Sequence, residues 1–394
     1  MKKIGLLPRI IIAIALGVGI GLVSPAWMIR IFATFNDLFG NFLGFIIPLI
    51  IIGFIAPGIG SMGRGAGKLL GISAGVAYVS TIIAGLLAFI AASILFPTLL
   101  KNQSLAKFGD PSEALLSGYL TIEMPPIMDV MPALLLSFIL GLGMAALNSD
   151  SLLNVMENFR TIIEKLIEKV IIPLLPIHIF GIFANMTHAG QVQTILSVFA
   201  KVFVIIISLH ILYLFIQYSA AGATVKQNPF SMIKTMLPAY FTALGTQSSA
   251  STIPVTLKHA KKLKVRPQAA DFCVPLFATI HLSGSMITLT SCSIAVMMLM
   301  GKDPAFGAIF PFILLLGVTM VAAPGVPGGA VMAALGVLES MLAFDPTMLS
   351  LMIALYLAQD SFGTACNVTG DGAITVIADQ LTGEAKVSPK LAAQ

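Results

Sequence analysis

The sequence predicts an all-α polytopic membrane protein: eight transmembrane helices, with two re-entrant helical hairpins set among them. Three observations carry this. Hydrophobic residues make up 57% of the 394-residue chain and charged residues only 10%, whereas a soluble domain carries about a quarter charged residues. Apolar runs recur along the first half, each roughly the 20 residues that a bilayer core requires. In the second half, apolar segments are interrupted by polar or Gly/Pro-rich tips, and such backbone persists at membrane depth only where protein buries it or it lines a cavity. The net charge of +5 comes from basic residues scattered among connections, which is not a nucleic-acid footprint. Cys273, Cys292 and Cys366 lack CxxC spacing and read as buried free thiols.

The N-terminus, MKKIGLLPRIIIAIALGVGIGLVSPAW, has the charge layout of a signal peptide. Its apolar run is too long and no small-x-small cleavage site follows, so it reads as the first spanning helix, over 7–29. Further spans fall at 34–57, 69–96, 128–147, 166–187 and 194–219. The mixed, Pro-containing stretch 98–127 reads as a surface loop. ENFRTIIEKLIEK, starting at Glu157, alternates charge at helical spacing. Glu164 and Glu168 repel at i,i+4, which favours an interfacial start to the next helix. Gly17 and Gly21 form a small-xxx-small pattern suited to helix packing. Gly58, Gly60 and Gly63 match a dinucleotide fingerprint by letter but lack its strand–helix context. Ser231 and Lys234 have SxxK spacing without the companion motifs of serine hydrolases.

Charge fixes the expected orientation. With the N-terminus in the cytoplasm, and 228–257 and 305–344 counted as hairpins returning to their starting side, Arg30, Lys101, Lys107, Lys201 and Lys302 fall outside and the other 17 of 22 basic residues inside. That bias is strong, and it places both termini in the cytoplasm. The first hairpin has a polar tip, Thr246 to Thr252; the second has the tip Ala323–Ala330, reading APGVPGGA. Both tips are rich in residues that break or cap helices. A long apolar segment with a polar interruption follows each hairpin. Hairpin plus broken helix, twice over, predicts inverted repeats around a midplane site.

The second interruption, Tyr356 to Ala378, carries Asp360 and Asp371 with Thr364 and Asn367 between them. At 3.6 residues per turn these four lie within about 60° of one another, and the carboxylates are about 16 Å apart along the stripe. An ionised side chain at mid-membrane costs roughly 2.5–3.5 kcal/mol even on lenient scales, and so marks a functional site.

GTQSSASTIP (245–254), PLFATIHLSGS (275–285), APGVPGGA (323–330) and NVTGDG (367–372), in this order and spacing, resemble the dicarboxylate/amino acid:cation symporter family with the glutamate-transporter fold. The resemblance implies an elevator-type secondary transporter in the cell membrane, assembled as a homotrimer, with Na⁺ as coupling ion and no organic cofactor. It implies static scaffold helices in 1–66 and 128–190. The helix within 67–127, followed there by an extracellular loop, and the whole of 191–394 would form a moving transport domain. Asp360 would hold the ammonium of an amino acid, helped by Thr364. Asn367 would bind the α-carboxylate together with the first tip, Gln247, Ser248 and Ser249. The second tip, Val326, Gly329 and Ala330, would close as an extracellular gate. Asp371 would ligate sodium, with Asn367, Thr279 and His281 as further cation ligands.

Two departures refine the expectation. Acidic-solute members carry arginine at the positions of Gly363 and Gln247, and no Lys or Arg stands anywhere in the site here. An acidic side chain would be desolvated without a countercharge, so a neutral, zwitterionic amino acid is expected, with Gly363 opening the pocket wall and Ser285 opposite. On this reading Gly363→Arg shifts preference toward acidic solutes. Second, many members have Asn-Met-Asp-Gly-Thr where this chain has His281-Leu282-Ser283-Gly284-Ser285. Their Tyr, Thr and Ser ligands on the third span align here with Ser73, Val76 and Ala77. One cation site is therefore expected to be dismantled, with fewer sodium ions coupled. His281 either carries a coupled proton, its charge changing near neutral pH, or hydrogen-bonds nearby backbone. His178 and His210 read as packing residues with one hydrogen bond each. Alternatives are a proton-coupled or differently coupled transporter of another small organic acid, an intramembrane hydrolase with Ser248 or Ser249 as nucleophile (His259 lacks an orienting group), and a channel, which a closing second tip disfavours.

Overall fold

Helix starts in this chain are set by proline and by short polar caps. The computed structural model describes residues 6–62, 67–99, 115–147, 150–321, 323 and 327–382, and every regular element among them is helical. α1 (Leu6–Val23) stops before Ser24-Pro25, and α2 (Ala26–Met62) starts behind that proline, whose ring cannot extend the preceding ladder. The expected first span of 7–29 is corrected accordingly: residues 26–33 belong to α2. There follow α3 (Gly67–Leu99), α4 (Val130–Leu147) and the amphipathic α5 (Asp150–Leu166). α5 passes through one π-helical stretch, Ile167–Ile171, into α6 (Ile172–His188), so the charged segment is continuous with the helix that follows it. α7 (Val192–Val225) completes the first half.

The second half repeats one theme. α8 (Pro229–Thr246) and α9 (Ser249–Ala260) form a hairpin, followed by a broken helix, α10 (Pro267–Ile280) and α11 (Ser283–Leu299). α12 (Phe306–Val321) and α13 (Gly329–Leu342) form another, followed by α14 (Pro346–Leu357) and α15 (Asp360–Thr382). Asn228 opens α8 by accepting from Phe230 N at 2.9 Å. Asp345 opens α14 by accepting from Met348 N at 2.9 Å. Each sits before a proline at the first helical position, where a missing N–H costs nothing.

Five helical runs among the described residues are long and apolar enough to cross a membrane: Ala26–Ser61, Leu70–Leu99, Asp150–His188, Val192–Val225 and Pro267–Leu299. With the shorter apolar helices they form an all-α polytopic membrane protein. Ile11, Leu16, Ile83 and Ile139 point outward, as a lipid-facing surface requires. α1 lies on α6, and α2 on α4, α5 and α6; α3, α7 to α11 and α15 pack on one another. Between these groups the contacts run mainly through α12, α13 and α14. A Cβ at Gly17 would stand 2.6 Å from Phe180 O, and one at Gly21 2.5 Å from Ala184 O, so the small-xxx-small pattern is the α1–α6 contact itself. The three cysteines are free and buried.

Candidate functional site

α15 is buried along almost its whole length, and Asp360, Thr364, Asn367 and Asp371 are all inside. Its neighbours are α7, α8 and α11, with α3, α9 and α10 behind. Among the described residues no Lys or Arg is buried. The carboxylates on this stripe therefore face only neutral groups and one imidazole.

Asn367 organises the middle of the site. α11 begins at Ser283 without a side-chain cap of its own, which leaves the first N–H groups of a helix without partners. Asn367 Oδ1 supplies the acceptor from across the interface, taking Gly284 N at 2.7 Å and Ser285 N at 3.2 Å. Its Nδ2 donates to Ser285 Oγ at 3.0 Å, and the buried Tyr356 hydroxyl donates to the same oxygen at 3.1 Å. The crossing is close enough to need glycine: a Cβ at Gly284 would lie 2.4 Å from Gly363 O and 2.7 Å from Cys366 Cβ. A Cβ at Gly363 would meet Thr288 Oγ1 at 3.5 Å. Gly363 thus faces α11 rather than standing open to the solute, and an arginine there would have to thread past Thr288. His210 Nε2 braces this turn from α7, at 3.0 Å from Gly284 O and 3.1 Å from Thr288 Oγ1.

The hairpin tips approach from two sides. In the first, Gln247 takes a left-handed conformation and Ser248 caps α9, its Oγ accepting from Ser251 N at 3.2 Å. Ser249 is buried in the first turn of α9, which packs on α15. In the second, Gly328 N donates to Asp360 Oδ2 at 2.7 Å. Gly328 has φ +75, a conformation in which a side chain is strained. Gly329 and Ala330 follow as the buried first residues of α13. Val326 lies outside the described residues.

Deeper along α15, Asp371 Oδ1 receives His281 Nδ1 at 2.9 Å. His281 ends α10 at the break, and its Nε2 meets Ser80 Oγ at 3.0 Å and faces Gln217 Nε2 at 3.3 Å. Gln217 also donates to Ser80 Oγ at 3.0 Å, and the Tyr213 hydroxyl joins at 3.0 Å. Both His281 ring nitrogens are therefore engaged, which leaves only its main-chain carbonyl for a cation. Among the described residues, Asp371 Oδ2 is buried without a hydrogen-bond partner. A lone carboxylate oxygen in the protein interior suits a hard cation. Thr279 is exposed, its hydroxyl bonded to Leu276 O at 2.7 Å, and it does not join this cluster by any hydrogen bond.

Among the described residues, Ser73, Val76 and Ala77 of the third span make no hydrogen bond to His281. Ser73 lies against Cys273 Sγ at 3.5 Å, and Ala77 packs with Phe277 and Ile374. The residue that α3 presents to His281 is Ser80, about a helical turn beyond Ala77. Sequence reasoning missed Ser80, Tyr213, Gln217 and Tyr356. They sit in apolar runs with no motif around them, and only burial reveals them. His178 also differs from expectation, with two bonds: Asn36 donates to Nδ1 at 3.1 Å, and Nε2 meets Ser350 Oγ at 3.1 Å.

A family model described as "Sodium:dicarboxylate symporter family" matches residues 6–381. Among the relatives are serine/threonine transporters SstT from Acinetobacter baumannii strains AYE, AB307-0294 and AB0057. Each is 27% identical, with 96% of this chain and 97% of the relative covered.

Proposed function

The chain belongs to the sodium:dicarboxylate symporter family, and from that premise we propose that it is a secondary active symporter coupling inward sodium movement to the uptake of a small neutral amino acid. Serine and threonine are the leading solutes, because relatives at 27% identity are serine/threonine transporters. The observation that carries the reading is Asp360, a buried carboxylate without a buried Lys or Arg beside it, touched by the second hairpin through Gly328 N. A charge so placed needs a cation, and the α-ammonium of an amino acid supplies one with hydrogen bonds.

In this reading Asp360 and Thr364 hold the ammonium, and Asn367 with the Ser248–Ser249 turn holds the α-carboxylate. Gln247, Ser285, Gly329 and Ala330 bound the remaining space, with Gly363 behind them against α11. Because Gly328 already bonds Asp360, closure of the second hairpin reports directly on occupancy of the carboxylate. Asp371 Oδ2 serves the sodium ion, with Asn367 and main-chain oxygens at Thr279 and His281 as further donors. The packing groups suit an elevator: α1, α2, α4 and α5–α6 as static scaffold, the rest moving past them in a homotrimer in the cell inner membrane, both termini cytoplasmic. Neutral solute selection follows from the missing countercharge, since an acidic side chain would be desolvated unpaired.

The test is uptake of labelled serine into proteoliposomes with sodium and pH gradients imposed separately. An inward sodium gradient should drive accumulation, competed by threonine and not by aspartate. Accumulation driven by a pH gradient alone, or equal competition by aspartate, overturns the assignment.

A further inference from the structure

Where the first hairpin meets α7 and α10 there is a cavity of about 370 Å³, lined by Lys226, Gln227, Asn228, Ser231, Met232, Thr235, Lys262, Leu263 and Lys264. It lies away from the Asp360–Asp371 stripe and has no part in the transport cycle described above. Its three lysines come from two separate turns, Lys226 just after α7 and Lys262 and Lys264 just after α9. Nearby basic residues are neutralised: Lys261 pairs with Asp271, and Arg266 with Asp379 at 2.6 Å. Among the described residues no carboxylate pairs with Lys226, Lys262 or Lys264. Lys264 spends one N–H on Val225 O at 3.1 Å, which holds its ammonium over the cavity while two protons stay available.

The surface next to this basic hollow is apolar. Phe230, in the first turn of α8, is 67% exposed and packs on Phe215 of α7 with ring centroids 5.2 Å apart. Ile211, Leu212, Ile216 and Phe241 continue that outward face. Cationic hollow and apolar wall adjoin, so the surface complements one molecule with an anionic head and hydrocarbon tails.

We propose that this cavity binds the phosphate head of an anionic phospholipid, with Lys226, Lys262 and Lys264 around the phosphate and the acyl chains against Phe215 and Phe230. Each lysine near an anionic surface contributes about 1 kcal/mol, roughly five-fold in affinity. The three together should set a preference of at least about ten-fold for anionic over zwitterionic lipid, weakening with salt.

The test uses the full chain in detergent, titrated with phosphatidylglycerol or phosphatidylcholine. Retained lipid is counted by native mass spectrometry and melting is followed by tryptophan fluorescence. Phosphatidylglycerol should be retained in preference and should raise the melting temperature. The triple change Lys226→Gln, Lys262→Gln, Lys264→Gln should remove both effects, and Lys→Arg at the same positions should keep them. Phe230→Ser should weaken retention without abolishing the anionic preference. The proposal is overturned if the triple Gln variant retains phosphatidylglycerol like the parent. It is equally overturned if inorganic phosphate alone gives the same thermal protection, which would make the hollow a site for a free anion.

Discussion

Asp360→Asn separates the two tasks placed on that carboxylate. The asparagine oxygen can still accept from Gly328 N, which lies 2.7 Å from Asp360 Oδ2, so the contact with the second hairpin survives. What is lost is the charge that meets the ammonium. Asp360 is 6% exposed, and breaking a buried, hydrogen-bonded ion pair costs about 3–5 kcal/mol, or roughly 150- to 5,000-fold in affinity. A neutral hydrogen bond from the ammonium to the amide oxygen recovers about 1 kcal/mol, which leaves about 2–4 kcal/mol, so serine binding should fall at least about 30-fold. The solute-free protein should melt near its parent temperature, because the weaker bond to Gly328 is offset by no longer burying a charge. Asp360→Ala should fare worse, leaving Gly328 N unpartnered at a cost of about 1–3 kcal/mol. The assay is solute-induced thermal stabilisation beside uptake in proteoliposomes, with a 2-hydroxy acid analogue as competitor. If Asp360→Asn still accumulates serine like the parent, the ammonium is held elsewhere and the reasoning fails.

The other predictions concern neighbouring groups. Sodium should raise the melting temperature of the solute-free parent and not of Asp371→Ala; equal protection of both would remove Asp371 from the ion's ligands. Gly284→Ala should cost at least about 1–3 kcal/mol by overpacking, because its Cβ would lie 2.4 Å from Gly363 O. Gly363→Ala, whose Cβ would meet its nearest neighbour at 3.5 Å, should melt within a few degrees of the parent. Comparable losses in the two would contradict the close crossing. His178→Leu removes the ring that the Asn36 amide and the Ser350 hydroxyl share at the junction of α2, α6 and α14, and should lower the melting temperature. Ser350→Ala should lower it less, since it leaves only Nε2 of His178 without its partner while Asn36 still serves Nδ1.

What could be read from the residues, and what could not, divides along a physical line. The hairpin tips and the α14–α15 break were legible because Gly, Pro and Ser in an apolar background leave backbone groups that must be placed somewhere. Asp360 and Asp371 were legible because charge in such a background needs a partner. The partners themselves were not. Ser80, Tyr213, Gln217 and Tyr356 are single polar groups on long spans, and helical periodicity does not say which face turns inward when lipid and protein are equally apolar. Ser80, rather than Ser73, Val76 or Ala77, is the residue that α3 presents to His281: a step of about one turn preserves the helix face and changes the depth. Ser24-Pro25 was readable as a break but was overrun by the hydropathy on either side.

The arrangement has a consequence for coupling. Asn367 fixes the first turn of α11 through Gly284 N and Ser285 N, while His281, three residues before Gly284, fixes the end of α10 through Asp371 and Ser80. The break between α10 and α11 is thus clamped at both ends, each time by a residue of α15 that also belongs to a proposed binding site. Displacing one clamp must move the short segment that the other holds. Residues sharing such a network interact by about 0.5–3 kcal/mol, whereas independent sites add to within about 0.5 kcal/mol. A double-mutant cycle on Asn367→Ala and His281→Gln, read as chemical-denaturation stability without solute, should therefore be non-additive. The same cycle read as sodium affinity in the presence of serine should be non-additive too, because the solute's carboxylate and the ion would pull on one four-residue hinge. Additivity in both readouts would mean that the break is rigid on its own, and that solute and ion communicate by some route other than α15.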